Sequence, residues 1–210
     1  MSVQKVSAAG TSIWLDDLSR AKITSTEAHA LPARINNSGV VGVTTNPSIF
    51  SAAISGAAEY AADIAAMKSA PVDEVVKKLT TDDVRQACDL FTSLYQATHG
   101  VDGRVSIEVD PRLAHDTKGT VAAGKELWSI IDRPNVMIKV PATLEGLPAI
   151  TELIAAGISV NVTLIFSVKR YGQVIEAYMK GIEQCAEPAK VHSVASFFIS
   201  RIDSSIDGLL

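Results

Sequence analysis

Short apolar runs rich in β-branched residues alternate with helical segments along this chain, and this alternation limits the possible folds most strongly. Six runs are predicted strands: 12–15, 40–46, 104–110, 136–140, 158–166 and 190–198. Helical patterns lie within 18–37, from 47 through 68, and at 71–79, 81–99, 116–131, 145–156 and 168–187, and another helix begins at 200. Strands that alternate with helices predict a parallel sheet with right-handed crossovers. A (β/α)8 barrel and a doubly wound open sheet both fit this order.

Polar residues late in the predicted strands favour the barrel. No GxGxxG or GxxxxGK[ST] motif follows a strand, so the strongest signal for a nucleotide-binding open sheet is missing. The polar residues near the strand ends are Asp16, Asn46, Glu108, Lys139, Asn161 and Thr163. Each has an ordinary explanation as a cap or turn residue, but barrel enzymes also place their chemistry at this end of several strands. We therefore predict a TIM-type (β/α)8 barrel with about six of its eight βα units in this chain.

Lys139 interrupts the apolar run 136–140, which is closed by Pro141. A charged ammonium loses its hydration in such a strand, so this position is costly. A salt bridge to a carboxylate is one solution. The other is a neutral amine, which is a nucleophile and forms a Schiff base with a carbonyl substrate. Such a lysine needs acid/base partners, and Glu108 and Asp16 are the candidate carboxylates, with Thr163 placed to position a water beside Glu108.

Composition excludes several other functions. The formal net charge of −4, with 20% charged residues, gives no electrostatic basis for binding nucleic acid or anionic membranes. No apolar run is long enough to span a bilayer, and the first twelve residues lack the apolar core of a signal peptide. Cys88 and Cys185 are typical of free thiols in a reducing cytoplasm, where we expect the protein. Without a suitable histidine partner or a DxD-type cluster, we expect no metal.

The motifs around these residues resemble those of the transaldolase family. The matching segments are TTNPS at 44–48, the lysine strand 136–139 with Ala142 and Thr143, N-x-T-L-x-F-S at 161–167, the glutamate strand 105–110, Asp16 at the end of the first strand, and 196–201 with Arg201. The resemblance covers about 12–210.

The resemblance implies transfer of a dihydroxyacetone unit between sugar phosphates in the non-oxidative pentose phosphate pathway. It implies that Lys139 is the Schiff-base lysine, that Glu108 and Thr163 hold a water, and that Asp16 is the acid/base for carbon–carbon cleavage. It further implies substrate-binding roles for Asn46, Asn161, Ser196, Phe198 and Arg201, with Arg201 on the phosphate. Related fructose 6-phosphate aldolases have a tyrosine at the position of Phe198, so the phenylalanine favours transaldolase. No cofactor is expected.

The number of strands departs from the family pattern. A (β/α)8 barrel has eight units and typically about 250 residues, whereas six strands are predicted here. We therefore expect residues 1–210 to be a single barrel domain, truncated at its C-terminal end. Two alternatives remain: a catalytically silent barrel fragment, which self-associates or pairs with a C-terminal fragment through open barrel edges, and a related Schiff-base aldolase.

Overall fold

The structure is a computed structural model that describes residues 3–210. Six strands form one sheet in chain order, β1-β2-β3-β4-β5-β6. Their bounds are Ile13–Asp16, Val40–Thr44, Arg104–Glu108, Val136–Pro141, Val160–Ile165 and Ser193–Phe197. The chain divides into two compact units: unit 1 is Met1–Ile107 with Ser129–Val136, and unit 2 is Glu108–Trp128 with Met137–Leu210.

Unit 1 contains β1, β2 and most of β3, joined in parallel pairs. Asp16 of β1 is the register partner of Thr44 of β2, and Val43 of β2 is the partner of Val105 of β3. The helices are α1 (Val3–Ala8), α2 (Arg20–Thr24), α3 (Leu31–Ser38), α4 (Pro47–Ile54), α5 (Ala61–Ala66), α6 (Val72–Leu90) and α7 (Thr92–Ala97).

Unit 2 contains most of β4 together with β5 and β6, which also pair in parallel. Its helices are α8 (Thr117–Ile131), whose last three residues belong to unit 1, α9 (Gly146–Ala155), α10 (Val168–Gln184) and α11 (Ile199–Asp207). All six residues of β4 are buried, as expected for a strand covered on both faces. Helix α9 buries Ile150, Leu153 and Ile154 and packs against β5 and α10.

The predicted alternation of strands and helices is confirmed, and the six parallel βα units are consistent with a partial TIM-type barrel. The expectation of one domain over residues 1–210 stays a prediction. No helix within residues 3–210 is long and apolar enough to cross a membrane.

Some helix boundaries predicted from the sequence are wrong. The expected break between 79 and 81 does not occur, because α6 runs unbroken from Val72 to Leu90. Thr81 does not cap a helix; its hydroxyl donates to the Lys77 carbonyl one turn earlier, at 2.7 Å. Burial of Leu79 and Val84 on either side of the expected break keeps the helix continuous. The single helix expected within 18–37 is two helices, α2 and α3.

Gly146 at the start of α9 is required by a close approach of the backbone. A Cβ at this position would lie 2.1 Å from the Pro141 carbonyl oxygen, an atom that cannot move without displacing the end of β4. Gly146→Ala should therefore reduce the free energy of unfolding by about 1–3 kcal/mol, measured by urea denaturation. Gly172→Ala on α10 is the matched control, since a Cβ there meets nothing within 4 Å. It should be neutral or stabilising by up to about 1 kcal/mol. Equal losses for both variants would contradict this explanation.

Candidate active site

Lys139 lies in β4 of unit 2 and is nearly inaccessible to solvent. Its side chain is 5% exposed, and its Nζ lies 3.4 Å from Oε2 of Glu108, whose side chain is 12% exposed. Glu108 ends β3, and the backbone N–H of Val109 donates to the Lys139 carbonyl at 3.1 Å. Backbone hydrogen bonding between the two segments therefore places the two charged groups side by side.

Polar side chains on β5 and β6 extend this pair across unit 2. Asn161 is the register partner of Lys139, and Thr163 that of Pro141, so both β5 side chains share the face of the lysine. The Ser196 hydroxyl on β6 donates to Oδ1 of Asn161 at 2.9 Å. The Thr163 hydroxyl is buried and has no hydrogen-bond partner among residues 3–210. The hydrogen-bonding capacity of this hydroxyl is therefore unused within the described residues.

The backbone changes direction immediately after Thr163. Leu164 has φ 61°, and the pairing of β5 with β6 shifts register between Val162 and Ile165. A positive φ is strained for a leucine. The register shift marks a β-bulge, and β-bulges often change the direction of side chains near functional sites. The bulge follows directly on Thr163 and leads into the aromatic residue Phe166.

Phe166, Phe198 and Arg201 form a stack at the end of β6. The rings of Phe166 and Phe198 are stacked, with centroids 5.6 Å apart. The guanidinium carbon of Arg201 lies 4.4 Å from the centroid of the Phe198 ring. Phe198 is half-buried and Arg201 is exposed, so the aromatic contact leaves the guanidinium accessible to an anion.

Asp16 and Asn46 line a cavity of about 480 Å³ in unit 1. Asp16 is the exposed last residue of β1. Asn46 follows β2 as the N-cap of α4, and its Oδ1 accepts a hydrogen bond from the backbone N–H of Ile49 at 2.9 Å. Asp17 and Lys22, which form an ion pair with each other, also line the cavity.

Sequence reasoning missed a buried polar network beside this cavity. Asp83 on α6 is fully buried and accepts hydrogen bonds from the Tyr60 hydroxyl at 2.6 Å and from Nε of Arg20 at 3.0 Å. Burial raises the pKa of Asp83, although the hydrogen bonds from Tyr60 and Arg20 act in the opposite direction. Burial also raises the pKa of Tyr60, so its phenol keeps the proton that it donates.

Thr44 is a second residue that the sequence reasoning passed over. It is the register partner of Asp16, and its hydroxyl oxygen is buried without a hydrogen-bond partner in the described part of the chain. Its place two residues before Asn46 in the predicted strand 40–46 was the available signal, since residues two apart in a strand share a face.

The site residues predicted from the sequence thus lie in two groups, one in each compact unit. The first group is on one face of unit 2 and consists of Glu108, Lys139, Asn161, Thr163 and Ser196, and the stack of Phe198 on Arg201 follows β6 in the chain. Asp16 and Asn46 share the cavity of unit 1. Within residues 3–210, no three His, Cys, Asp or Glu side chains cluster as metal ligands, and both cysteines are free.

These features define a class: parallel α/β proteins of repeated βα units, with a buried lysine–carboxylate pair on the strands. A sequence model of the family described as "Transaldolase/Fructose-6-phosphate aldolase" matches residues 13–209. The chain belongs to this transaldolase/fructose-6-phosphate aldolase family.

Curated relatives support the same assignment. The chain is 56% identical to the transaldolase of Mycolicibacterium smegmatis, over 98% of this chain and 56% of that protein. It is 54% identical to the transaldolase of Saccharopolyspora erythraea, over 98% of this chain and 57% of that protein. The chain therefore spans little more than half the length of these relatives.

Proposed function

We propose that the predicted site residues form the active site of a transaldolase. This enzyme transfers a dihydroxyacetone unit from sedoheptulose 7-phosphate or fructose 6-phosphate to an aldose phosphate. The observation that carries the proposal is the buried Lys139–Glu108 pair, 3.4 Å apart, on a face that also presents Asn161 and Thr163. The transaldolase name of relatives more than 50% identical supports this activity over aldol cleavage without transfer. The enzyme would act in the non-oxidative pentose phosphate pathway, in the cytoplasm.

The first step is attack of the Lys139 amine on the C2 carbonyl of the donor. The carbinolamine then loses its hydroxyl as water to give the Schiff base, and this loss requires a proton. Glu108 supplies that proton through a water held with the Thr163 hydroxyl. The same water and carboxylate serve the final hydrolysis.

Cleavage of the carbon–carbon bond needs a second base. Asp16 takes the proton of the C4 hydroxyl as the C3–C4 bond breaks, and the bond electrons pass to the iminium nitrogen of Lys139. The enamine that remains on the lysine then adds to the aldehyde carbon of the acceptor, and Asp16 returns its proton to the new hydroxyl. The lysine iminium serves as the electron sink, so the proposed reaction uses no metal or cofactor.

The remaining nominated residues hold the sugar. Asn46 and Asn161 bind donor hydroxyls, and Ser196 lines the site through its hydrogen bond to Asn161. Phe198 packs beneath the guanidinium of Arg201, which binds the phosphate as a planar, permanently charged group.

We also propose that an apolar face of α10 is covered by further polypeptide. Val168, Tyr171, Ile175 and Met179 follow one another at helical spacing and are each at least 39% exposed. Beside them, β6 has β5 as its hydrogen-bonded neighbour and lies at the end of the strand order. Exposed apolar area next to an edge strand favours association. The part of the relatives' length that this chain does not span is the proposed occupant, and a second copy of the chain is the alternative.

Borohydride trapping tests the covalent step. Reduction in the presence of fructose 6-phosphate, in a full-length form of the enzyme, should attach the reduced three-carbon unit to the peptide that contains Lys139. Lys139→Arg should abolish the adduct, whereas exposed Lys125→Arg should not. Peptide mass spectrometry locates the label, and an adduct on Lys125 or Lys169 would refute the assignment.

Substitution of Arg201 tests the phosphate site. Arg201→Ala should raise KM for fructose 6-phosphate by roughly 10- to 100-fold, because a charge-assisted contact is lost. KM for unphosphorylated dihydroxyacetone as donor should change little. Arg201→Lys should recover only part of the loss, since a point charge lacks the planar fork. Equal losses with both donors would assign Arg201 a structural role.

Sedimentation of the 210-residue chain alone tests the apolar face. We expect it to form dimers or larger species, because exposed apolar area next to an edge strand promotes association. Ile175→Lys with Met179→Lys should shift it toward monomer. The matched control is Val72→Lys with Val76→Lys, an equally spaced exposed pair on α6. A monodisperse monomer of the unchanged chain, or equal effects of the two double variants, would contradict the proposal.

A further inference from the structure

The buried network of unit 1 fixes one residue, Arg20, through both its backbone and its side chain. The Tyr60 hydroxyl accepts a hydrogen bond from the Arg20 backbone N–H at 2.9 Å while it donates to Asp83. The Arg20 guanidinium lies over the Tyr60 ring, 4.5 Å from the centroid. It also reaches Oδ2 of Asp63 at 2.5 Å and the Glu59 carbonyl at 3.2 Å.

Arg20 ends the short segment that carries Asp16. Asp16 is tied to β2 by its register with Thr44, and four residues later Arg20 opens α2, with Ser19 as its N-cap. Leu18, between the two, is fully buried. The segment is therefore anchored at both ends, at the sheet by strand pairing and at α6 by Asp83.

A stability role alone does not explain a network of this kind. Removing two charges from water costs about as much as their pairing returns, and apolar residues of similar volume often serve as well. A fully satisfied buried network does, however, select one geometry over close alternatives. Tyr60 belongs both to this network and to the wall of the cavity that Asp16 lines. The network thus connects the buried Asp83 to the surroundings of the Asp16 carboxylate.

We propose that Arg20, Tyr60 and Asp83 are positioning residues, which hold the Asp16 carboxylate in the geometry required for proton transfer. This inference rests on the proposed role of Asp16 in carbon–carbon cleavage. None of the three touches the reacting atoms in this assignment; they act through the segment between β1 and α2.

The test measures Schiff-base formation and carbon–carbon cleavage separately, in a full-length form of the enzyme. Tyr60→Phe removes the hydroxyl that contacts Asp83 and the Arg20 backbone, and it keeps the ring that packs on the Arg20 guanidinium. We expect kcat for cleavage of fructose 6-phosphate to fall about 10- to 100-fold, the range that a small misplacement of a catalytic group produces. Borohydride trapping of Lys139 with dihydroxyacetone, which requires no cleavage, should change by less than about twofold. Asp83→Asn should likewise reduce kcat for cleavage and change the trapping of Lys139 by less than about twofold.

A double-mutant cycle with Asp16→Asn identifies the route of the effect. If Tyr60 acts through Asp16, Tyr60→Phe should cause no further loss of cleavage in the Asp16→Asn background. Asp89→Asn is the control, because it breaks an exposed ion pair with Arg133. Asp89 lies near the C-terminal end of α6, the helix that also carries Asp83. The control variant should leave both steps unchanged.

Other results are equally decisive. Parallel losses in trapping and cleavage, or full additivity with Asp16→Asn, would overturn the positioning role and leave the network purely structural. Unchanged cleavage in Tyr60→Phe would overturn it as well. Failure to trap Lys139 in the unsubstituted enzyme would instead refute the proposed function itself, so the two failures are distinguishable.

Discussion

The pairing of Lys139 with Glu108, whose side chains are 5% and 12% exposed, is the interaction on which the polar face of unit 2 depends. Neither charge is stable there alone, since desolvation of an isolated ion costs several kcal/mol. The pair is possible because a backbone hydrogen bond from Val109 to Lys139 joins the end of β3 to β4 and so places Glu108 beside Lys139. Parallel pairing in turn requires helices on the sheet faces, as α9 provides for β5. The polar face of unit 2 is thus a consequence of strand register.

The order of elements was predictable from the sequence because strands and helices of this size have distinct periodicities. The roles of the candidate site residues stay a prediction, but the strands that carry those of unit 2 were predicted: Glu108 ends β3, Lys139 lies in β4, Asn161 and Thr163 lie in β5, and Ser196 lies in β6. Their grouping in unit 2 follows from alternation along β5, where Asn161 and Thr163 share a face with Lys139. For these residues local pattern and tertiary structure agree.

Features that depend on distant residues were not predictable. The segment from Leu79 to Asp83 has a threonine followed by acidic residues, which is typical of a helix start. In the structure that signal is overridden, because Leu79 and Val84 are buried and α6 continues. Asp83 accepts hydrogen bonds from Tyr60 and Arg20, which are far away in the chain, and no local pattern reports such a contact. The bulge at Leu164 is likewise invisible, since leucine carries no signal for a positive φ.

The capping role of Asn46 limits what this side chain can offer a ligand. Its Oδ1 accepts a hydrogen bond from the backbone N–H of Ile49, and the cap uses no N–H of the amide. An amide oxygen has two lone pairs and the NH2 group has two donors, so the capping asparagine keeps both kinds of hydrogen-bonding capacity. An aspartate would cap α4 equally well, but it would have no N–H donor and would add a negative charge to a cavity that Asp16 and Asp17 already line. The asparagine therefore combines the cap of α4 with an uncharged donor group at the wall of the cavity.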